Sequence, residues 1–296
     1  MTRDIILNSL NEELIPYTEP GWQHSLEYTT ISERLLGYIP LHWHEELQFV
    51  AVVKGTIELH ILGRKISLPE GSGFFINSGV IHEIHAKTLN ATFICWNIGI
   101  TLFDKHIQTK YILPIIHEGS TPYVILNPSK DRHNRIIQAI LTSYDCYINK
   151  EKSFELIITI QYLTCIKELL HEIVLDPSNG YPIYDQRVKN ILEYIHTHYR
   201  TQIKLETLAE IAYISKSETN RLFKKHVGRT PFTYLLDYRL ERSIDLLIGT
   251  RSTITEIAIE CGFSSVSYFI DKFKKAFHLT PKKYRDEKMF KKSLES

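Results

Sequence analysis

Leu208-Ala-Glu-Ile-Ala-Tyr-Ile-Ser215, followed by Leu222-Phe-Lys-Lys225, returns as Ile257-Ala-Ile-Glu-Cys-Gly-Phe-Ser264, followed by Lys272-Phe-Lys-Lys275. Thr230-Pro231 returns as Thr280-Pro281, so the offset is 49 residues at Ala209 and Ala258 and 50 at the Thr-Pro pairs. Each copy reads as a short helix, a tight turn and a second helix with a basic end. Two such copies in tandem are the pattern of a double helix-turn-helix. Duplex DNA is the first partner that this pattern suggests.

Capping residues delimit the helices. Arg187–Tyr199 is amphipathic through Val188, Ile191, Leu192 and Ile195. Leu205–Tyr213 and Ser215–Val227 form the first unit, with Ser215 as N-cap. Thr230 caps a long helix opened by Pro231 and running to about Ile248, and Thr253-Ile-Thr-Glu256 is a capping box that starts the second unit. Gly262 supplies the tight turn, Ser264 is expected to cap the second recognition helix, and Thr280-Pro281 opens a terminal helix. A 231–248 helix is about 27 Å long at ~1.5 Å per residue. That is close to one DNA turn of roughly 34 Å, so one spacer can present both recognition helices to successive major grooves.

The bulk numbers agree with this reading. A chain of 296 residues is comfortable for two domains, and 43% hydrophobic with 23% charged residues allows a sizeable core in each. The net charge of +1 hides an asymmetry. Residues 181–296 carry 21 Lys and Arg against 14 Asp and Glu, a balance of +7, which leaves −6 for residues 1–180. Only the C-terminal module is built to meet a polyanion. Cys95, Cys146, Cys165 and Cys261 form no paired motif, which argues against a disulfide framework or a zinc finger and fits a reducing cytoplasm. No signal-peptide core or membrane-length apolar run is expected.

Upstream the texture differs. Residues 1–30, with Pro16, Pro20 and Gly21, read as an N-terminal arm. From about 35 to 100, short apolar runs (Leu47–Val53, Thr56–Leu62, Phe74–Ile76, Thr92–Ile98) alternate with Gly55, Gly63, Gly71 and Gly79, one glycine every 8 residues. Closely spaced strands with turn signals predict a β-barrel or sandwich. Residues 128–149 and 153–174 carry helical periodicity, with Asn127-Pro128 as the expected start of the first helix. Asp176-Pro-Ser-Asn-Gly-Tyr-Pro182 reads as a linker. The expected organisation is an arm (1–30), a β-barrel with two flanking helices (31–175), a linker (176–184) and an all-α module (185–296). The fold class is α+β in two domains.

Ile254-Thr-Glu-Ile-Ala258, Cys261-Gly-Phe-Ser264, Phe273-Lys-Lys275, Leu279-Thr-Pro281 and Tyr284-Arg285 closely resemble the signature of the AraC/XylS family of bacterial transcription regulators, over about 185–290. The resemblance implies base contacts from early positions of each recognition helix: Ser217, Asn220 and Arg221, then Val266, Ser267 and Asp271. Arg221 has the chemistry to pair bidentately with guanine and Asn220 with adenine. Asp271 departs from the family pattern, where arginine is frequent, and repels phosphate, so the second unit is expected to read bases weakly, with Lys272 compensating. Lys224, Lys225, Lys274 and Lys275 are candidate phosphate contacts; a solvated helix end favoured by the helix dipole is the plainer reading of each pair.

Leu41-His-Trp-His-Glu-Glu-Leu-Gln48 with Gly55, and Gly71-Ser-Gly-Phe-Phe-Ile-Asn77-Ser-Gly79-Val-Ile-His82, resemble the two cupin motifs. In metal-dependent cupins three histidines and a glutamate bind a divalent metal. Here Gln48 stands at the glutamate position and Asn77 where proline is usual. By strand parity His42, His44, Glu46 and Gln48 share one face. Three readings stay open: an effector pocket lined by His42, Trp43, His44, Gln48, Asn77, His82 and Trp96; a structural set of barrel histidines; and a metal site. The family resemblance favours the first, with a small polar metabolite such as a sugar as effector.

The expectation is thus a cytoplasmic, ligand-responsive, sequence-specific DNA-binding regulator, an activator rather than a repressor, working as a homodimer with RNA polymerase. Neither catalytic residues, a cofactor nor a membrane partner is expected. The alternative is a metal-dependent cupin enzyme fused to a DNA-binding module.

Overall fold

The computed structural model describes residues 5–8, 12–17, 21–100, 105–116, 120–173 and 185–294, with side chains to 288 in the last stretch. The chain divides into two compact units, Met1–Gln186 and Arg187–Ser296. The expected linker, 176–184, lies outside the described residues.

Among the described residues the first unit holds nine strands: β1 (His24–Thr30), β2 (Tyr38–His42), β3 (Leu47–Lys54), β4 (Thr56–Ile61), β5 (Arg64–Pro69), β6 (Gly73–Ile76), β7 (His82–Ala86), β8 (Thr92–Ile98) and β9 (Tyr123–Leu126). They form two antiparallel sheets, in the orders β1-β8-β3-β6-β9 and β2-β7-β4-β5. The eight-residue glycine rhythm is the rhythm of the turns. Gly55, Gly63, Gly71 and Gly79 have φ of +72°, +71°, +80° and +73°, a region that side chains disfavour.

Alternation along β3 sorts its side chains between two cores. Val50 and Val52 face across to Ile57, Leu59, Ile61 and Ile84 of the other sheet. Leu47, Phe49 and Ala51 face helices α3 (Asp131–Ile148) and α4 (Phe154–Leu169). Burial on both faces explains why β3 reads as a continuous apolar run. The short helical turns α1 (Lys105–Ile107), Gln108–Ile112 and α2 (Leu113–Ile116) precede β9.

Two expectations need correction here. The last seven residues of the expected arm are β1, paired with β8 throughout. Its buried positions include His24, Ser25 and Thr29, so hydropathy alone hides it. Asn127 does not cap α3: its side chain accepts from the Ser129 amide in an Asx turn, its amide donates to His133 Nδ1, and the helix begins at Asp131.

The second unit is α5 (Gln186–His198), α6 (Leu205–Ile211), α7 (Lys216–Val227), α8 (Pro231–Gly249), α9 (Ile254–Glu260), α10 (Val266–Phe277) and α11 (Pro281–Leu294). Ser215, Thr230 and Thr253 cap as expected, the last in a complete capping box. Helix α8 is shared by the two helix-turn-helix motifs, packing on α7, α9, α10 and α11. Arginines lock each junction. Arg239 of α8 donates to the carbonyls of Tyr199 and Thr201 beyond α5, and Arg285 of α11 donates to those of Leu247 and Ser252 around the end of α8. Leu247 is an orphan acceptor in the last turn of α8, and the other three carbonyls lie in the loops just beyond a helix, so each arginine ties its own helix to the segment that follows another.

Ser264 is not the second cap. Ser265 is: its hydroxyl accepts from the Tyr268 amide at 3.2 Å. The offset grows from 49 to 50 inside the turn, so the second turn is one residue longer and the cap equivalent to Ser215 falls on Ser265. The left-handed turn position is Tyr213 (φ +54°) in the first unit and Gly262 (φ +77°) in the second.

Candidate DNA interface and sensory site

Each recognition helix buries one face and leaves the opposite face to solvent. On α7, Leu222 and Phe223 are core, whereas Ser217, Arg221, Lys224 and Lys225 are exposed and Asn220 is half-buried. On α10, Phe269 and Phe273 are core, Ser267, Asp271, Lys274 and Lys275 are exposed, and Val266 and Lys272 are half-buried. All the predicted DNA contacts therefore lie on accessible or partly accessible positions. With the 50-residue offset, Ser217 corresponds to Ser267, Asn220 to Ile270 and Arg221 to Asp271. The second unit thus holds an aliphatic and an acid where the first holds the two best base-reading side chains.

The cations are partly paired within the helices. The Arg221 guanidinium donates to both Glu218 carboxylate oxygens, at 2.7 and 2.6 Å. Lys275 reaches Asp271 at 3.0 Å, and the Lys272 ammonium sits 5.2 Å from the Tyr268 ring centroid. Exposed pairs of this kind are weak in water and yield readily to a phosphate or a base edge.

In the first unit, β2, the loop after it and the start of β7 bring His42, His44 and His82 together, all buried. One ring nitrogen from each lies within 4.8 Å of the others. Their Nδ1 atoms meet the carbonyls of Pro40 (2.8 Å), Glu46 (3.0 Å) and Val80 (2.9 Å). A carbonyl only accepts, so each Nδ1 carries the proton and each neutral ring turns a bare Nε2 inward. Burial pushes His42 down to about 4, His44 to about 3 and His82 well below its ordinary value, so all three are neutral at pH 7. Nε2 of His44 and of His82 has no hydrogen-bond partner, an arrangement that buried polar atoms rarely tolerate. Three converging imidazoles whose outer N–H groups are fixed by carbonyls fit a divalent metal of the zinc kind.

Other polar groups converge on the same interior. Gln48 donates to Cys95 Sγ at 3.3 Å, and its Oε1 is unpartnered. Arg34, 4% exposed, donates through Nη2 to Thr29 at 2.9 Å and Glu27 at 3.3 Å, while its Nε and Nη1 lack partners. The N-terminal segment closes against this region. The Glu13 amide donates to the Trp43 carbonyl at 2.8 Å, and the Glu13 carboxyl lies 3.5 Å from His42 Nε2. Burial, reinforced by Glu27 and opposed by Arg34, raises the Glu13 carboxyl to about 8.

Residues 24–97 match the family described as an AraC-like ligand binding domain, and residues 208–287 match a helix-turn-helix domain. YdeC of Bacillus subtilis (strain 168), an uncharacterized HTH-type transcriptional regulator, is 35% identical over 260 residues, spanning 87% of this chain and 89% of that protein. The chain belongs to the AraC/XylS family of transcription regulators. As a member of that family it is a ligand-responsive, sequence-specific DNA-binding regulator. The xylose operon regulatory protein of Escherichia coli (strain K12) is 38% identical over 102 residues, 34% of this chain and 26% of that protein. Among solved structures, the C-terminal domain of the response regulator yesN from Fusobacterium nucleatum shares 37% identity over 34% of this chain and 99% of its own, with a TM-score of 0.33.

For this AraC/XylS-family chain, the structure gathers only part of the expected effector set. His42, His44, Gln48 and His82 do share the interior. Trp96 does not: it lies on the opposite face of its sheet, 5.8 Å from the His24 ring and 6.1 Å from Tyr162 by centroid, in the helix-packed core. Parity explains this, because Cys95 of the same strand takes the inward position beside Gln48. Asn77 is consumed elsewhere, donating to Ile115 and Thr121 carbonyls and to Ser120 while accepting from the Ser78 amide. Trp43 is buried and holds the N-terminal segment through its carbonyl. Arg34 and Glu13 join this region without any mark in the sequence. Arg34 is visible in sequence only as a lone basic residue, and Glu13 is 29 positions from His42, with no spacing to mark it.

Proposed function

We propose that the protein activates transcription from the cytoplasm as a homodimer that presents its two helix-turn-helix units to paired DNA sites and contacts RNA polymerase. The observation that carries the DNA reading is the pair of serine-capped, lysine-tailed helices, α7 and α10, both seated on the single spacer α8. Base reading is assigned to Ser217, Asn220 and Arg221, with Ser267, Asp271 and Lys272 in the second unit. Lys224, Lys225, Lys274 and Lys275 are assigned to phosphates. Selection of bound duplexes from a random pool tests this. A recovered consensus with two half-sites about one helical turn apart supports it, and recovery of no consensus overturns it.

The effector reading rests on Arg34, His44, Gln48 and His82, each of which buries a polar atom without a hydrogen-bond partner. Such a lining suits a small molecule rich in oxygen acceptors and donors, a sugar among them. We assign no catalytic role to the site. Binding acts only if the ligand prefers one arrangement of the chain over another. Thermal-shift screening of the full chain against sugars and other polar metabolites tests this, and stabilisation that disappears in Arg34→Met is the expected result.

Dimerisation is supported by α4, whose Leu156, Ile160 and Leu163 are 67%, 60% and 40% exposed at i, i+4 and i+7 spacing. A continuous apolar stripe of this kind is costly in water and suits an equivalent helix of a second copy.

A further inference from the structure

We propose that Glu13 supplies the carboxylate of a zinc-type divalent cation site whose other ligands are Nε2 of His42, His44 and His82, so that the cation fastens the N-terminal segment to the barrel. This deepens the reading of the first unit as the sensory site and rests on it.

The three imidazoles are set for ligation before any ion arrives. Each Nδ1–H is held by a backbone carbonyl, which orients the ring and leaves Nε2 as the donor, the usual support for a metal-bound histidine. The donors lie within 4.8 Å of one another, and zinc bonds of about 2.0–2.1 Å require them to close slightly around the ion. Two of the donors are buried atoms with no other partner, so a cation would relieve an existing cost. Imidazole nitrogen selects zinc-like ions over magnesium or calcium, which prefer oxygen.

Three neutral nitrogens leave the ion's double charge uncompensated in a buried place. The carboxylate expected at position 48 is an amide, and that amide donates to Cys95. Glu46 lies in the loop between β2 and β3, so the parity expected from the sequence does not hold there, and its carboxylate accepts the Tyr17 hydroxyl. Among the described residues the Glu13 carboxyl, 12% exposed, stands 3.5 Å from His42 Nε2; it is outside the group of three mutually close imidazole donors and has to move inward to complete the ligand set. Its backbone is held there independently, by the Glu13 amide on the Trp43 carbonyl, the Glu12–Trp43 bridge and the Leu7–Glu13 bridge. Residues upstream of the strands thus replace what the strand itself lacks.

A second group, His60, Glu83 and His85 on the outer face of β4 and β7, also brings three donors together. There His60 uses both ring nitrogens, at 2.6 Å from Glu58 and 2.6 Å from Glu83, so the network is complete without an ion. It serves as the control.

The test uses the full chain, stripped with a chelator and titrated with Zn²⁺ in competition with a chromophoric chelator. Co²⁺ absorption then reports coordination geometry, and hydrogen exchange reports the Glu13 amide. The wild type is expected to bind about one equivalent with a tetrahedral Co²⁺ spectrum and slowed exchange at Glu13. Glu13→Gln is nearly isosteric and should weaken binding roughly tenfold or more, with metal no longer slowing that exchange. His82→Gln should abolish binding, and His60→Gln should leave it intact. Unchanged affinity and exchange protection in Glu13→Gln, no stoichiometric binding by the wild type, or binding lost in His60→Gln and kept in His82→Gln would each overturn the proposal. A metabolite that still stabilises the chelated protein and shifts its DNA binding would preserve the sensory reading while removing this one.

Discussion

Arg221 is paired bidentately with Glu218 before any DNA arrives, one helical turn from its own position. The pair keeps the guanidinium in a single extended geometry at little cost, because exposed ion pairs are weak. Arg221→Ala is expected to lose roughly ten- to a hundredfold in affinity for the specific site and to relax preference at one base pair. Lys224→Ala should instead weaken binding to specific and random duplexes alike and lower the salt slope by about one. Fluorescence anisotropy across a salt series measures both, and equal losses of Arg221→Ala on specific and random DNA would remove its base-reading role. At this scale sequence was informative where the motif is local and silent where it is not. Ser215, Thr253, His42 and His82 are legible because their partners lie within a turn or along a strand. Arg34 and Glu13 acquire meaning only when β1, β8 and the N-terminal segment bring distant carboxylates and imidazoles beside them.

The two turns solve one geometric problem differently. Gly262 sits at φ +77°, and a Cβ there would lie 2.6 and 2.7 Å from the carbonyl oxygens of Tyr199 and Arg200. Gly262→Ala should therefore destabilise the second unit by about 2 kcal/mol or more, from left-handed strain plus the clash, read as a fall in melting temperature. Tyr213 occupies the equivalent place at φ +54° with its side chain 93% exposed, so Tyr213→Gly should raise stability slightly. At the seam between β1 and α4, His24 accepts from the Trp96 indole at 3.1 Å, and burial holds it down at about 4. The unfolded chain binds this proton below about 6.5 and the folded chain only below about 4. The stabilisation is thus complete above pH 6.5 and is lost as pH falls toward 4, on the order of 3 kcal/mol. Melting curves between pH 7 and 4 check this, and His24→Gln should shrink the dependence by that amount, leaving the part due to the buried His42, His44 and His82. The strands that carried glycine rhythm were legible, whereas β1 was not, because its buried His24, Ser25 and Thr29 satisfy themselves through partners that hydropathy does not register.

The molecule separates its charges as it separates its units. A balance of +7 after residue 181 and −6 before it means that only the second unit attracts a polyanion, and the salt dependence of DNA binding should follow the lysines of α7 and α10. The proposed dimer contact lies on the first unit, on the exposed stripe Leu156, Ile160 and Leu163. Ile160→Glu is expected to convert a dimer to a monomer in analytical ultracentrifugation, with each domain still folded by circular dichroism and affinity for paired sites reduced. A dimer that survives this change would move the interface elsewhere. By itself the amino-acid order determined the double helix-turn-helix, the turn-punctuated sheets, the family and the exposed faces of α7 and α10, because each rests on periodicities and caps that act over a few residues. Tertiary structure alone decided that Trp96 turns away from the histidines, that Asn77 ties down the loop before β9, and that Glu13 reaches His42. Those outcomes depend on which face of a strand meets which neighbour, and a one-residue change of parity, invisible to composition, exchanges a core contact for a site.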